Sequence, residues 1–92
     1  MRPIEPDRAV SDFGRRVGEE RELHGWTQAE FAEHVGVSLR YVQHIEQGSQ
    51  NVTITSAVRF ANALKVPLAK LFEAPRTRPA GRGRPPKTRR TP

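Results

Sequence analysis

The sequence predicts an all-α fold: one compact domain of five short helices, followed by a basic segment that has no core of its own. Three observations carry this reading. From Ser11 onward, apolar residues recur at the 3.6-residue spacing of a helix rather than the two-residue spacing of a strand. Two consecutive segments each open on a side-chain cap and close on a glycine, which are the start and stop signals of helices. Finally, only 35% of the 92 residues are hydrophobic, so the core must be small and closely packed.

Residues 1–8 hold two prolines and no apolar periodicity, which predicts a loose N-terminal arm ahead of a domain over residues 9–74. In the first helix Val10, Phe13, Gly14, Val17 and Arg21 share one stripe, while Arg15, Arg16, Glu19, Glu20 and Glu22 are expected to face water. It should end near His24-Gly25, with Gly25 as the stop. The second helix has a fuller start signal: Thr27 as cap, and Glu30 three residues on to close a capping box. Trp26 and Phe31 stand in the staple positions on either side of that cap. Phe31, Ala32 and Val35 continue the buried stripe as far as Gly36. The third helix opens on Ser38, with Val37 and Val42 in the staple positions, and runs to Gly48. Two short helices joined by a turn of about three residues make a helix-turn-helix. A fourth helix should begin near Thr53, with Ala57, Phe60, Ala61 and Leu64 inside. Val66-Pro67 should open a fifth, packed through Leu68, Leu71 and Phe72, because proline is tolerated at the first helical position. The aromatic residues Phe13, Trp26, Phe31, Phe60 and Phe72 are expected in the core rather than in a ligand cage.

The charge is segregated. Residues 1–74 carry nine Lys/Arg against all ten acids, a net −1, whereas residues 75–92 carry seven Lys/Arg and no acid, a net +7. That last segment also holds five prolines, two glycines and no large apolar side chain. It cannot bury enough surface to offset the entropy of ordering, so it is expected to be disordered alone. A segregated basic arm points to a polyanion, with nucleic acid ahead of an anionic membrane; the alternative is a merely solubilising tail.

Other chemistries are poorly supported. The absence of cysteine excludes disulfides, thiolate zinc sites, iron–sulfur clusters and cysteine nucleophiles. His24, His34 and His44 fall on three different predicted helices, so no metal is expected. No phosphate-cradling glycine loop, carboxylate pair or Ser/His/Asp set stands out, so neither an enzyme nor a cofactor is expected. There is no run of about 18 apolar residues and no apolar signal core at the start, which predicts a soluble cytoplasmic protein without a membrane partner.

At 100° per residue, Leu39, Arg40, Gln43, His44 and Gln47 fall within one arc of about 140°, opposite Ser38, Tyr41, Val42 and Ile45. Arginine pairs with guanine and glutamine with adenine in the major groove, and a leucine can meet a thymine methyl. On an isolated helix the same face would read as ordinary solvated surface. The capped helix and short turn before it favour a reading head.

The string Trp26-Thr27-Gln28-Ala29-Glu30-Phe31-Ala32-Glu33, Val35-Gly36-Val37-Ser38, Val42-Gln43-His44-Ile45-Glu46-Gln47-Gly48, Ala61-Asn62-Ala63-Leu64-Lys65-Val66-Pro67 and Leu71-Phe72 resembles the Cro/phage-repressor (XRE) helix-turn-helix family over about residues 11–73. The resemblance implies a five-helix, lambda-repressor-like domain whose third helix enters the major groove, usually in homodimers on near-palindromic operators. Carried over by position, it implies base reading by Leu39, Arg40 and His44, with Gln43 beside them. It implies phosphate contacts from Gln28, Ser38, Gln47 and the loop residues Ser49, Gln50 and Asn51. It also implies a structural salt bridge between Arg21 and Glu46, and a dimer seam on the fifth helix. Leu39 departs from the polar residue common there. The family includes repressors, activators that touch RNA polymerase, and restriction–modification controllers of this size.

Within the basic tail, Arg82-Gly83-Arg84-Pro85, followed by Lys87, resembles an AT-hook. Glycine lets the backbone approach the groove floor, proline favours an extended path, and two arginines suit a narrow A/T minor groove. Unspecific phosphate binding is the alternative. The function expected is a bacterial- or phage-type transcriptional regulator acting at the nucleoid. Two rivals stand beside it: the antitoxin of a toxin–antitoxin pair, and a nucleoid architectural protein led by the tail.

Overall fold

A computed structural model describes residues 3–77. Four α-helices, α1 (Pro6–Leu23), α2 (Gln28–Val35), α3 (Leu39–Gln47) and α4 (Ile54–Leu64), are followed by a 3₁₀ segment over Leu68–Phe72. The described residues contain no strand. Phe60 of α4 is fully buried at the centre, with the rings of Phe13, Phe31 and Tyr41 at 6.4, 5.7 and 6.1 Å. Val17, Val42, Ile45, Leu64 and Leu71 close the core around it.

Local signals explain most helix ends. Thr27 Oγ1 accepts from Glu30 N–H at 3.0 Å and Glu30 Oε1 accepts from Thr27 N–H at 2.8 Å, so the capping box is complete. Ser38 and Thr53 cap α3 and α4 by accepting from Tyr41 and Ser56 amides. Gly36 and Gly48 end α2 and α3 in left-handed backbone. Gly14 meets a different demand: a Cβ there would lie 2.0 Å from the Ile45 carbonyl oxygen, so only glycine lets α1 cross α3 this closely.

The structure departs from the sequence expectation in four places. First, α1 starts at Pro6 rather than near Ser11, so residues 6–8 of the expected arm are helical. Pro6 supplies the pre-set φ of a first helical residue, and Asp7 sits favourably at the positive end of the helix dipole.

Second, Arg16, Glu19 and Glu20, expected to face water, are buried at 1%, 8% and 5% exposure. Arg16 holds Glu19 at 2.8 Å and Glu20 at 2.9 Å, and donates through Nε and Nη2 to the Lys70 carbonyl at 3.1 and 3.0 Å. Glu19 Oε2 accepts from both the amide and the hydroxyl of Thr77. The chain after α4 folds back over this face of α1, and the charges survive burial because they satisfy one another.

Third, the expected fifth α-helix is a single 3₁₀ segment of five residues, with Pro67 as its N-cap. Five residues are too few to propagate an α-helix. The Lys70 carbonyl accepts the Glu73 N–H at 3.4 Å in the 3₁₀ pattern and also takes the Arg16 guanidinium. Fourth, Phe72 meets Phe13 at 5.1 Å with its ring tilted by 41° yet stays 57% exposed, and Trp26 is only half-buried.

Candidate nucleic-acid interface

The turn Gly36-Val37-Ser38 sets α3 against α2. Val37 packs on the core, and Ser38 caps α3. Val42 and Ile45 are fully buried and Tyr41 donates its hydroxyl to Ser56 Oγ at 3.1 Å, so one side of α3 is locked inward. The other side is thereby turned out: Leu39, Arg40 and Gln47 are exposed, and Gln43 and His44 are half-buried. α3 contains one arginine and no lysine, so this surface can discriminate by hydrogen bonding and shape but supplies little charge.

At the start of α2, Gln28 is held by a chain of bonds that begins on α1. Arg21 donates to Glu46 through Nε at 2.7 Å and through Nη2 at 3.0 Å, and its Nη1 donates to the Trp26 carbonyl at 2.7 Å. Glu46 Oε1 in turn accepts from Gln28 Nε2 at 3.1 Å. Hydrogen bonds donated to Glu46 raise the Arg21 guanidinium above its ordinary value and outweigh the effect of burial. One ion pair thus joins α1, the end of α3 and the side chain that opens α2. The Gln28 link to Glu46 was not legible from spacing, because it joins residues on two helices.

In the loop after α3, Ser49 turns its hydroxyl towards His44. Gln50 and Asn51 are exposed, and Gln50 Nε2 reaches only the Asn51 carbonyl, at 3.4 Å. Ser38 Oγ is occupied as an acceptor by the cap and keeps its hydrogen for donation. The residues Arg82, Gly83, Arg84, Pro85 and Lys87 lie outside the described residues.

The three histidines do not converge. His24 and His34 stack on Trp26 at 4.3 and 4.1 Å, while His44 pairs with Ser49. Among the described residues no cluster of His, Asp or Glu could hold a metal ion. Nor is any described helix long and apolar enough to cross a membrane.

Known proteins resemble this chain in sequence and fold. Residues 17–71 match the HTH_3 helix-turn-helix family. Over 57 residues the chain is 40% identical to a Pyrococcus furiosus protein with the provisional name HTH-type transcriptional regulatory protein; the match covers 62% of this chain but only 18% of that protein. The restriction–modification controller protein C.AhdI from Aeromonas hydrophila has a similar structure, with a TM-score of 0.71 at 29% identity, covering 75% of this chain and all of that one. The clp gene regulator ClgR from C. glutamicum gives 0.66 at 25% identity, covering 78% of this chain and 90% of that one. The chain belongs to the HTH_3 helix-turn-helix family of Cro/C1-type DNA-binding regulators.

Proposed function

We propose that the chain is a sequence-specific regulator that binds double-stranded DNA as a homodimer on a near-palindromic operator. The observation that carries this reading is the orientation of α3: Val42 and Ile45 are locked into the core, which turns Leu39, Arg40, Gln43, His44 and Gln47 outward. In this reading α3 lies in the major groove, with Arg40 on guanine, Gln43 and His44 on neighbouring base edges, and Leu39 against a thymine methyl. Gln28, held by Glu46, and the amides that open α2 meet a phosphate. Ser38, Gln47, Gln50 and Asn51 contact the backbone farther along. The controller from Aeromonas hydrophila and the regulator from C. glutamicum, similar in fold, support a regulatory role.

The tail supplies what the domain lacks. Residues 1–74 carry a net −1 and residues 75–92 a net +7, so most of the attraction to DNA comes from the tail, with Arg82-Gly83-Arg84-Pro85 in the minor groove beside the operator.

In-vitro selection of bound DNA at about 150 mM salt tests this. It is run on the full chain and on a chain ending at Thr77, which keeps the bonds to Glu19. The expected result is one palindrome from both chains, extra flanking A/T from the full chain only, and a flatter salt dependence after truncation. An unchanged affinity and salt slope would remove the tail from the interface. A full chain that binds without sequence preference would move the architectural role forward, and co-purification of a small partner protein would favour the antitoxin role.

A further inference from the structure

Gly48 ends α3 with φ 78°, and the following turn is of the Schellman type: Gly48 N–H reaches the Ile45 carbonyl at 3.1 Å and Ser49 N–H reaches the His44 carbonyl at 3.0 Å. This turn carries Ser49 back over the last turn of α3. Its Oγ there lies 3.1 Å from His44 Nδ1 and 3.3 Å from the His44 carbonyl oxygen.

Oγ thus has a carbonyl oxygen and a ring nitrogen within reach, and one placement of its hydrogen bonds it to both. A carbonyl oxygen can only accept, and a serine hydroxyl has one hydrogen. Both contacts are bonds at once only when that hydrogen goes to the carbonyl and Oγ accepts from a proton on Nδ1; donation to Nδ1 would leave the 3.3 Å carbonyl contact unused. In the neutral ring, Nε2 is then bare and can only accept. We infer that Ser49 fixes His44 as a hydrogen-bond acceptor at Nε2, and that His44 therefore selects a base offering an amino donor to the major groove. Adenine through N6 and cytosine through N4 meet that need; guanine and thymine present acceptors at the corresponding positions. Ser49 is then a positioning residue that sets specificity through His44. The inference rests on the proposal that α3 reads base edges.

Two measurements on the full chain separate the failure of one idea from that of the other. Long-range ¹H–¹⁵N correlation on the free protein at about pH 8, above the ordinary titration range of histidine, reads the tautomer without DNA. The expected result is His44 protonated at Nδ1 in the native chain and in Ser49→Thr, with a shift towards the Nε2-protonated ring in Ser49→Ala. A native His44 protonated at Nε2 overturns the inference.

The second measurement is in-vitro selection with the native chain, Ser49→Ala and His44→Ala. At the base pair whose preference disappears in His44→Ala, exchanging the amino-bearing base for its counterpart without that group (purine for adenine, pyrimidin-2-one for cytosine) should weaken binding by the native chain but not by His44→Ala. Ser49→Ala should lower that preference about fivefold, the worth of one hydrogen bond, without changing other positions, and Ser49→Thr should retain it. A native chain whose affinity survives loss of that amino group overturns the inference. So does an operator whose preferences all survive His44→Ala, and there the reading helix itself still stands. If no motif is selected at all, the reading-helix proposal falls and takes the base assignment with it, while the tautomer is judged by the spectrum alone.

Discussion

Arg16 and Arg21 stand less than two turns apart on α1, and each is bound to carboxylates, yet the two do different work. Arg21 sits in the seam between α1, α3 and the opening of α2, and its pair with Glu46 keeps contact with water at 13% and 11% side-chain exposure. Arg16 lies deeper, with side-chain exposures of 2%, 8% and 7% for itself, Glu19 and Glu20. Its partners beyond α1 come from the other end of the domain, at Lys70 and through Glu19 at Thr77. The first cluster joins α1, α3 and the start of α2; the second holds the chain after α4 against α1. Burial opposes the charge on Arg16, but its bonds to Glu19 and Glu20 outweigh it and hold the guanidinium above its ordinary value. How much each cluster contributes depends on how completely water is excluded and on how many charges are left behind when one is removed.

The largest expected effect follows from removing Arg16. Arg16→Leu leaves two carboxylates buried with their cation gone and should cost about 3–5 kcal/mol in urea unfolding. Replacing Arg16, Glu19 and Glu20 together with apolar residues of similar volume should recover most of that, because no unpaired charge remains. A cost for Arg16→Leu no larger than that of Glu46→Ala would erase the contrast between the clusters.

Glu46→Ala comes second, at about 2 kcal/mol, because water reaches the edge of the Arg21 pair and relieves the orphaned charge. Its melting temperature should fall, and Gln28 should lose its anchor. An unchanged melting curve would show that the seam does not depend on this pair.

The smallest effect is a pH dependence confined to the deeper cluster. Burial alone would raise the Glu19 carboxyl, but the Thr77 hydroxyl and amide and the Arg16 guanidinium outweigh it and hold it below its ordinary value. The unfolded chain therefore binds a proton before the folded one does. Glu19 contributes its stability in full above about pH 4.3, and that contribution is lost as pH falls through the lower folded value. The stability gap between the native chain and Glu19→Gln should therefore be constant from about pH 6 to 5 and narrow towards about pH 2 in thermal melts. A gap that does not change with pH would mean that Glu19 acts through packing rather than charge.

The two clusters were not equally legible in the sequence. Arg21 and Glu46 could be paired through the family resemblance, since both belong to one ordered motif. Arg16, Glu19 and Glu20 have the i, i+3 and i, i+4 spacing of a solvated ion-pair face, and that is how they read. Nothing near them in the chain reveals otherwise, because the group that covers them, the Lys70 carbonyl, is 54 residues away. The same distance hid the true form of the last helix. The early start of α1 was a different kind of miss: Pro6 carried a local start signal, but two prolines in eight residues read as an arm.

The sequence by itself determined what short-range chemistry can determine: the caps at Thr27, Ser38 and Thr53, the stops at Gly36 and Gly48, and the division of α3 into an inner and an outer face. Each depends on residues within one or two helical turns of each other. Tertiary structure alone decided which polar face of α1 is buried, that Glu46 steadies Gln28, and that the last helix stays 3₁₀. These outcomes require a particular group to arrive at a particular place, and in most of them that group is brought by the packing of another element.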